Sequence, residues 1–206
     1  VKPILFFDLN DPQRIIPEAQ AWQCLMAELP QHQVFDEGMP KASPEVLLHG
    51  NAWTPAGSPV TKLQVTLSLG QMSKTLQVIG DRIWQKGFLS RKATEPAPFK
   101  TMPLTWQRAF GGQQYATNPL GQGALSQGET GETIVALPNV EYVDQTLTSP
   151  KRAVASAGFG PLHVLWEPRT VADPLFDQAY MDSVFPALPD EMDFARYNMA
   201  PQDQRL

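Results

Sequence analysis

The chain has 206 residues, 42% of them hydrophobic and 18% charged, and a net charge of −5; that is enough apolar side chain for a buried core and too much for a disordered segment. Sixteen Lys plus Arg stand against 21 Asp plus Glu, so no cationic excess exists to track a phosphate backbone, and nucleic acid is not expected as the main partner. No apolar run approaches the roughly 18 residues of a membrane-spanning helix, and no leader with a basic start and a small-residue cleavage site is visible.

Twenty prolines are about twice the ordinary usage, and they are scattered rather than gathered in a linker. Each fixes φ and removes a donor, so a loop-rich fold with short regular elements is expected. The lone cysteine, Cys24, cannot close an intrachain disulfide. It suits a reducing, cytoplasmic compartment and reads as a small buried hydrophobe.

In chain order, Ile4 to Phe7 is a short apolar strand, and Asn10, Asp11 and Pro12 mark a turn. A helix follows: Pro17 suits a first helical position, and Trp22, Leu25, Met26 and Leu29 share one face until Pro30 ends it. Glu45 to Trp53 reads as a strand. The clearest signal is strict alternation of Leu63, Val65, Leu67 and Leu69 with Lys62, Gln64, Thr66 and Ser68, followed by a turn over Gly70 to Lys74 and renewed alternation at Leu76 and Val78. This is an antiparallel hairpin with one buried face.

Lys92 to Pro103 reads as loop, then comes an apolar cluster at Leu104, Trp106 and Phe110, and then a long irregular excursion from Gly111 to Gly131. Loops of that length carry binding surfaces more often than scaffold. A strand is expected from Thr133 to Leu137, a Gly/Pro-punctuated stretch from Pro150 to Pro168, and a short helix from Leu175 to Val184 with Phe176, Ala179, Tyr180 and Val184 on one side. There is no solenoid repeat and no composition shift that marks a domain boundary. The expected fold is a single domain over residues 1–206: α+β, mainly β, with antiparallel sheets in a sandwich-like core.

The usual catalytic patterns are missing. His32, His49 and His163 lie far apart and without zinc-type spacing, so neither metal nor cofactor is expected. No Gly-x-Ser-x-Gly elbow is present. In the phosphate-loop-like run from Gly123 to Thr130, Glu129 stands where lysine is needed, which gives the wrong charge for phosphate. The carboxylates Asp36, Glu37 and Asp81, with Arg108, leave a hydrolase acting on saccharide or peptide as the enzymatic alternative.

The densest motif is PLTWQRAFGG, Pro103 to Gly112. Trp and Arg dominate binding hot spots, which makes Trp106, Arg108 and Phe110, with Asn118 in the following loop, the candidates for partner contact. The competing reading has the two aromatics plugging the core while Arg108 ties down a loop carbonyl or carboxylate. Asp36, Gly38, Asp81, Arg82, Trp84, Gly111, Gly112, Asn139, Gly158 and Gly160 are read as framework residues.

That motif stands with DEGMPK (Asp36 to Lys41), GDRIW (Gly80 to Trp84), NPLGQG (Asn118 to Gly123), LPNVE (Leu137 to Glu141), AGFGPL (Ala157 to Leu162) and APQDQ (Ala200 to Gln204). In this order the motifs resemble a bacterial domain family of formerly unknown function, whose members are commonly encoded beside type VI secretion spike components and toxins. The resemblance implies a non-enzymatic adaptor or chaperone, monomeric or dimeric alone, that binds a toxin and helps mount it on the spike or its tip protein. It also implies a chain trimmed at both ends relative to the family domain. A structural part of the spike, which would form a stable symmetric oligomer, is the other alternative.

Overall fold

The computed structural model describes residues 6–8, 11–17, 19–20, 44–86, 91–125, 135–171, 177–187 and 193–206. The chain divides into two units, Val1–Phe35 and Asp36–Leu206. In the first, strands β1 (Phe6–Asp8) and β2 (Asp11–Ile16) form an antiparallel hairpin. Asp11 and Pro12, expected in the turn, open the second strand instead, where a proline is tolerated because, among the described residues, the strand has a partner on one side only. Of the expected helix, Ala19 and Gln20 are helical; Cys24 and the apolar stripe lie outside the described residues, as do Asp36, Glu37, Gly38 and the rest of DEGMPK.

The second unit is built of small sheets. Strands β3 (Asn51–Trp53) and β8 (Thr101–Pro103) pair, β6 (Ile83–Lys86) lies between β7 (Arg91–Ala93) and β11 (Val135–Ala136), and β5 (Met72–Ile79) lies between β4 (Lys62–Leu69) and β12 (Val140–Tyr142). These pairings are all antiparallel, and one short parallel pair joins β9 (Phe110–Gly111) to β10 (Gln122–Gly123). Among its described residues the helices are α1 (Glu167–Thr170) and α2 (Gln178–Ser183), with single 3-10 turns such as Trp106–Arg108. The fold is α+β and mainly β, as composition and alternation imply.

The β4–β5 hairpin forms with the expected alternation, but its turn is tighter than expected. Gly70 takes φ +59, and only Gly70 and Gln71 separate the paired Leu69 and Met72, as in a two-residue turn with glycine first. Ser73 and Lys74 therefore belong to the strand. On the inner face Leu76 and Val78 pack with Ala52, Met102, Leu104, Val140, Ala157 and Phe159. Fully burying a side chain such as Leu76 is worth about 1.5–3 kcal/mol.

Several loops expected from proline content hold structure. Lys92 to Pro103 contains parts of β7 and all of β8, and the strand expected over Glu45 to Trp53 shrinks to β3 plus one bridge from Glu45 to Arg205. The Gly/Pro-rich stretch after Pro150 is irregular, yet Ala157, Gly158, Phe159 and Gly160 are buried. Its backbone finds partners without a ladder: Phe159 O accepts from Leu48 N at 3.1 Å, and Leu162 N donates to Met199 O at 2.7 Å. Helix α2 is capped by Asp177, whose carboxylate accepts from Tyr180 N at 2.9 Å. On the side that carries Ala179, Tyr180 and Val184, Ala179 and Val184 are exposed, and Tyr180 packs edge-on against Phe185 of its own segment.

Candidate functional site

The motif residues converge on three internal nodes. The first joins four segments at Asn139, which is fully buried. Its Nδ2 donates to Ile79 O at 2.9 Å and to Asp81 Oδ1 at 3.0 Å, while its Oδ1 accepts from Arg108 and from Gln122 Nε2, both at 3.0 Å. Arg108 also meets Asp81 Oδ1 at 2.9 Å, and its backbone carbonyl accepts from Asn139 N at 2.7 Å. One amide thus ties GDRIW, PLTWQRAFGG, NPLGQG and LPNVE together.

Beside it lies a buried ion pair. Arg82 donates to Pro138 O at 2.7 Å and approaches Glu141 Oε1 at 3.4 Å, and the same oxygen accepts from Leu147 N at 3.0 Å. Burial pushes the Glu141 carboxyl above its ordinary range, against the pull of Arg82. Glu141 Oε2, Arg82 Nε and Trp84 Nε1 have no partner among the described residues.

The second node is Trp106. Its Nε1 donates to Gly160 O at 3.2 Å and Pro161 O at 3.0 Å, and its ring meets Trp166 edge-on at 5.5 Å. Gly158 lies flat on the indole, where a Cβ would come within 3.0 Å of three ring atoms. Asn118 closes the loop after Phe110 by donating to Trp106 O at 2.8 Å and Phe110 O at 3.1 Å. Gly111, at φ +159, packs so closely that a Cβ would lie 2.2 Å from Asn118 O.

The third node was not foreseen as a site. Lys74 points inward from β5 and donates to Gly158 O at 2.6 Å, Gln204 Oε1 at 2.8 Å and Asp203 Oδ1 at 2.9 Å. Asp203 Oδ2 accepts from Tyr142 OH at 2.9 Å. Gln204 Nε2 donates in turn to Val46 O at 2.7 Å and Phe159 O at 2.9 Å. Burial lowers the Lys74 pKa against the raising effect of Asp203, and raises that of the Tyr142 phenol, with Asp203 adding to the shift. The sequence signal was a lysine in register with Met72, Leu76 and Val78.

Of the four candidates for partner contact, Trp106, Phe110 and Asn118 are buried, which removes them from the surface and agrees with the competing reading that the two aromatics plug the core. Arg108 is partly exposed and bonded to Asp81 and Asn139. Arg82, Trp84, Gly111, Gly158 and Gly160 sit in the interior as framework residues, and Gly112 lies against Ala124. Among the described residues no group of three or more His, Cys, Asp or Glu is placed to hold a metal, and no helix is long and apolar enough to cross a membrane. A cavity of about 370 Å³ is lined, among the described residues, by Arg91, Lys92, Lys151 and uncharged neighbours.

The exposed groups that stand out are apolar: Trp53 on β3 at 72%, and Leu165 and Val171 on either side of α1 at 75% each. An indole largely left in water on a short strand suits contact with another molecule. A family model described as an uncharacterized protein conserved in bacteria (DUF2169) matches residues 4–206. The chain belongs to this family. The match spans every motif quoted above, so the three nodes are built on the stretch that defines membership. No curated protein and no solved structure matches the chain.

Proposed function

We propose that this protein is a non-enzymatic adaptor or chaperone that binds a type VI secretion toxin and assists its loading onto the spike or its tip protein. The observation that carries the reading is the exposure of Trp53, at 72%, with Leu165 and Val171, on a scaffold whose motif side chains are spent on internal bonds. Such a scaffold presents apolar groups in a fixed geometry without ordering cost, which suits covering an apolar segment of a client until delivery. Binding only the folded client would also stabilise it by mass action. The motif order, from GDRIW to APQDQ, supports the same reading through its likeness to domains encoded beside spike proteins and toxins.

Co-expression with the toxin encoded beside it is the test. The expected result is a co-purifying complex and a toxin more soluble than when made alone, with capture reduced at least about tenfold by Trp53→Ser, the loss of one aromatic anchor. A toxin equally soluble and stable without the protein ends the adaptor reading.

A further inference from the structure

Strand β4 runs eight residues in continuous register with β5, without a bulge. It borders its sheet, whose order is β12-β5-β4, and among the described residues no strand pairs with its other side. The turn fixes which backbone groups face outward. With two residues between Leu69 and Met72, these form the first bonded pair, so the odd-numbered residues of β4 bond to β5 and the even-numbered ones point their N–H and C=O away. Two neighbouring bonds agree: Gly80 N donates to Thr61 O at 2.9 Å, and Ile79 N, facing the far side of β5, donates to Asn139 O at 2.7 Å. Lys62, Gln64, Thr66 and Ser68, all exposed, therefore present an open row of donors and acceptors.

Proteins shield such edges with proline, bulges, inward charges or very short strands. This one holds 20 prolines but none between Pro59 and Pro96, and its charge, Lys62, lies at the strand end. The row is also complementary to itself. With a two-fold axis through Val65, Lys62 faces Ser68 of the second copy and Gln64 faces Thr66, so all four outward residues of each strand are bonded. On the core side Leu63 meets Leu67 and Val65 meets Val65, extending cover over side chains that are only half-buried in one copy. No like charges oppose each other. We propose that β4 is an interaction edge whose occupant is β4 of a second copy, joining two three-stranded sheets into one. The proposal is independent of the adaptor reading.

Light scattering and sedimentation of the full chain test it without any toxin. The expected result is a reversible rise toward twice the 22.8 kDa chain mass. The exposed double variant Gln64→Lys/Thr66→Lys, which sets lysine against lysine at both central pairs, should raise the dimer dissociation constant about tenfold or more, whereas Gln64→Glu/Thr66→Lys, which sets opposite charges face to face, should hold or lower it. Near-ultraviolet circular dichroism checks that both variants fold. A chain that stays at 22.8 kDa at every concentration overturns the proposal, as does equal dimerisation of all three proteins. Equal weakening in both variants overturns the two-fold register. A monomer that loses toxin capture in the lysine variant gives the edge to a toxin strand instead of a second copy.

Discussion

Asn139 shows how much of this molecule hangs on single polar side chains. Its amide makes four hydrogen bonds, so Asn139→Ala leaves the buried Ile79 carbonyl without its amide donor and loosens Arg108 and Gln122. A loss of about 3 kcal/mol is expected, read as a lower urea midpoint. Gly158→Ala is expected to cost a comparable amount for a steric reason, since the new methyl meets the rigid Trp106 indole at 3.0 Å. Glu141 links burial to pH. Its folded pKa is raised above the ordinary value of 4.5, chiefly by desolvation, so between those two values the folded state holds more protons than the unfolded state. Its contribution to stability is therefore fully present below pH 4.5 and is lost as pH rises through the folded value. Glu141→Gln should flatten that component in urea titrations over the same pH range.

At the scale of elements, what could be read from sequence followed burial pattern. The β4–β5 hairpin was legible because Leu63, Val65 and Leu67 face one way and Lys62, Gln64 and Thr66 the other. Strands β7, β8, β9 and β10 were not, because two or three residues carry no period; proline around β7 and β8, and Gly, Asn and Gln between β9 and β10, argue for loop. The buried run through Phe159 was illegible for another reason: its hydrogen bonds come from Lys74, Gln204 and Leu48, far away in the chain. At the candidate site, Arg82, Gly111 and Asn139 stand out in their motifs, and all three are buried. The inward lysine at position 74 breaks the apolar alternation, which is why the sequence reads as turn up to Lys74. The helix around Tyr180 falls within the expected Leu175 to Val184, and on its apolar side Ala179 and Val184 are exposed. Leu76→Ala, in the legible hairpin, should cost about 2–5 kcal/mol in equilibrium unfolding, since the side chain is wholly buried.

At the scale of the whole molecule, family membership over residues 4–206 and an interior tied by three polar nodes describe a scaffold. The proposed adaptor role rests on what that scaffold leaves outside, Trp53 above all. Because the Trp53 side chain is largely in water, Trp53→Ser should leave the urea midpoint within about 0.5 kcal/mol of the parent stability while weakening toxin capture. The most direct test compares the neighbouring toxin in the native bacterium with and without this protein, following its solubility and its secretion. Without the protein, the toxin is expected to aggregate or be degraded and no longer to be secreted. A toxin that stays soluble and is secreted at the same level contradicts the adaptor role.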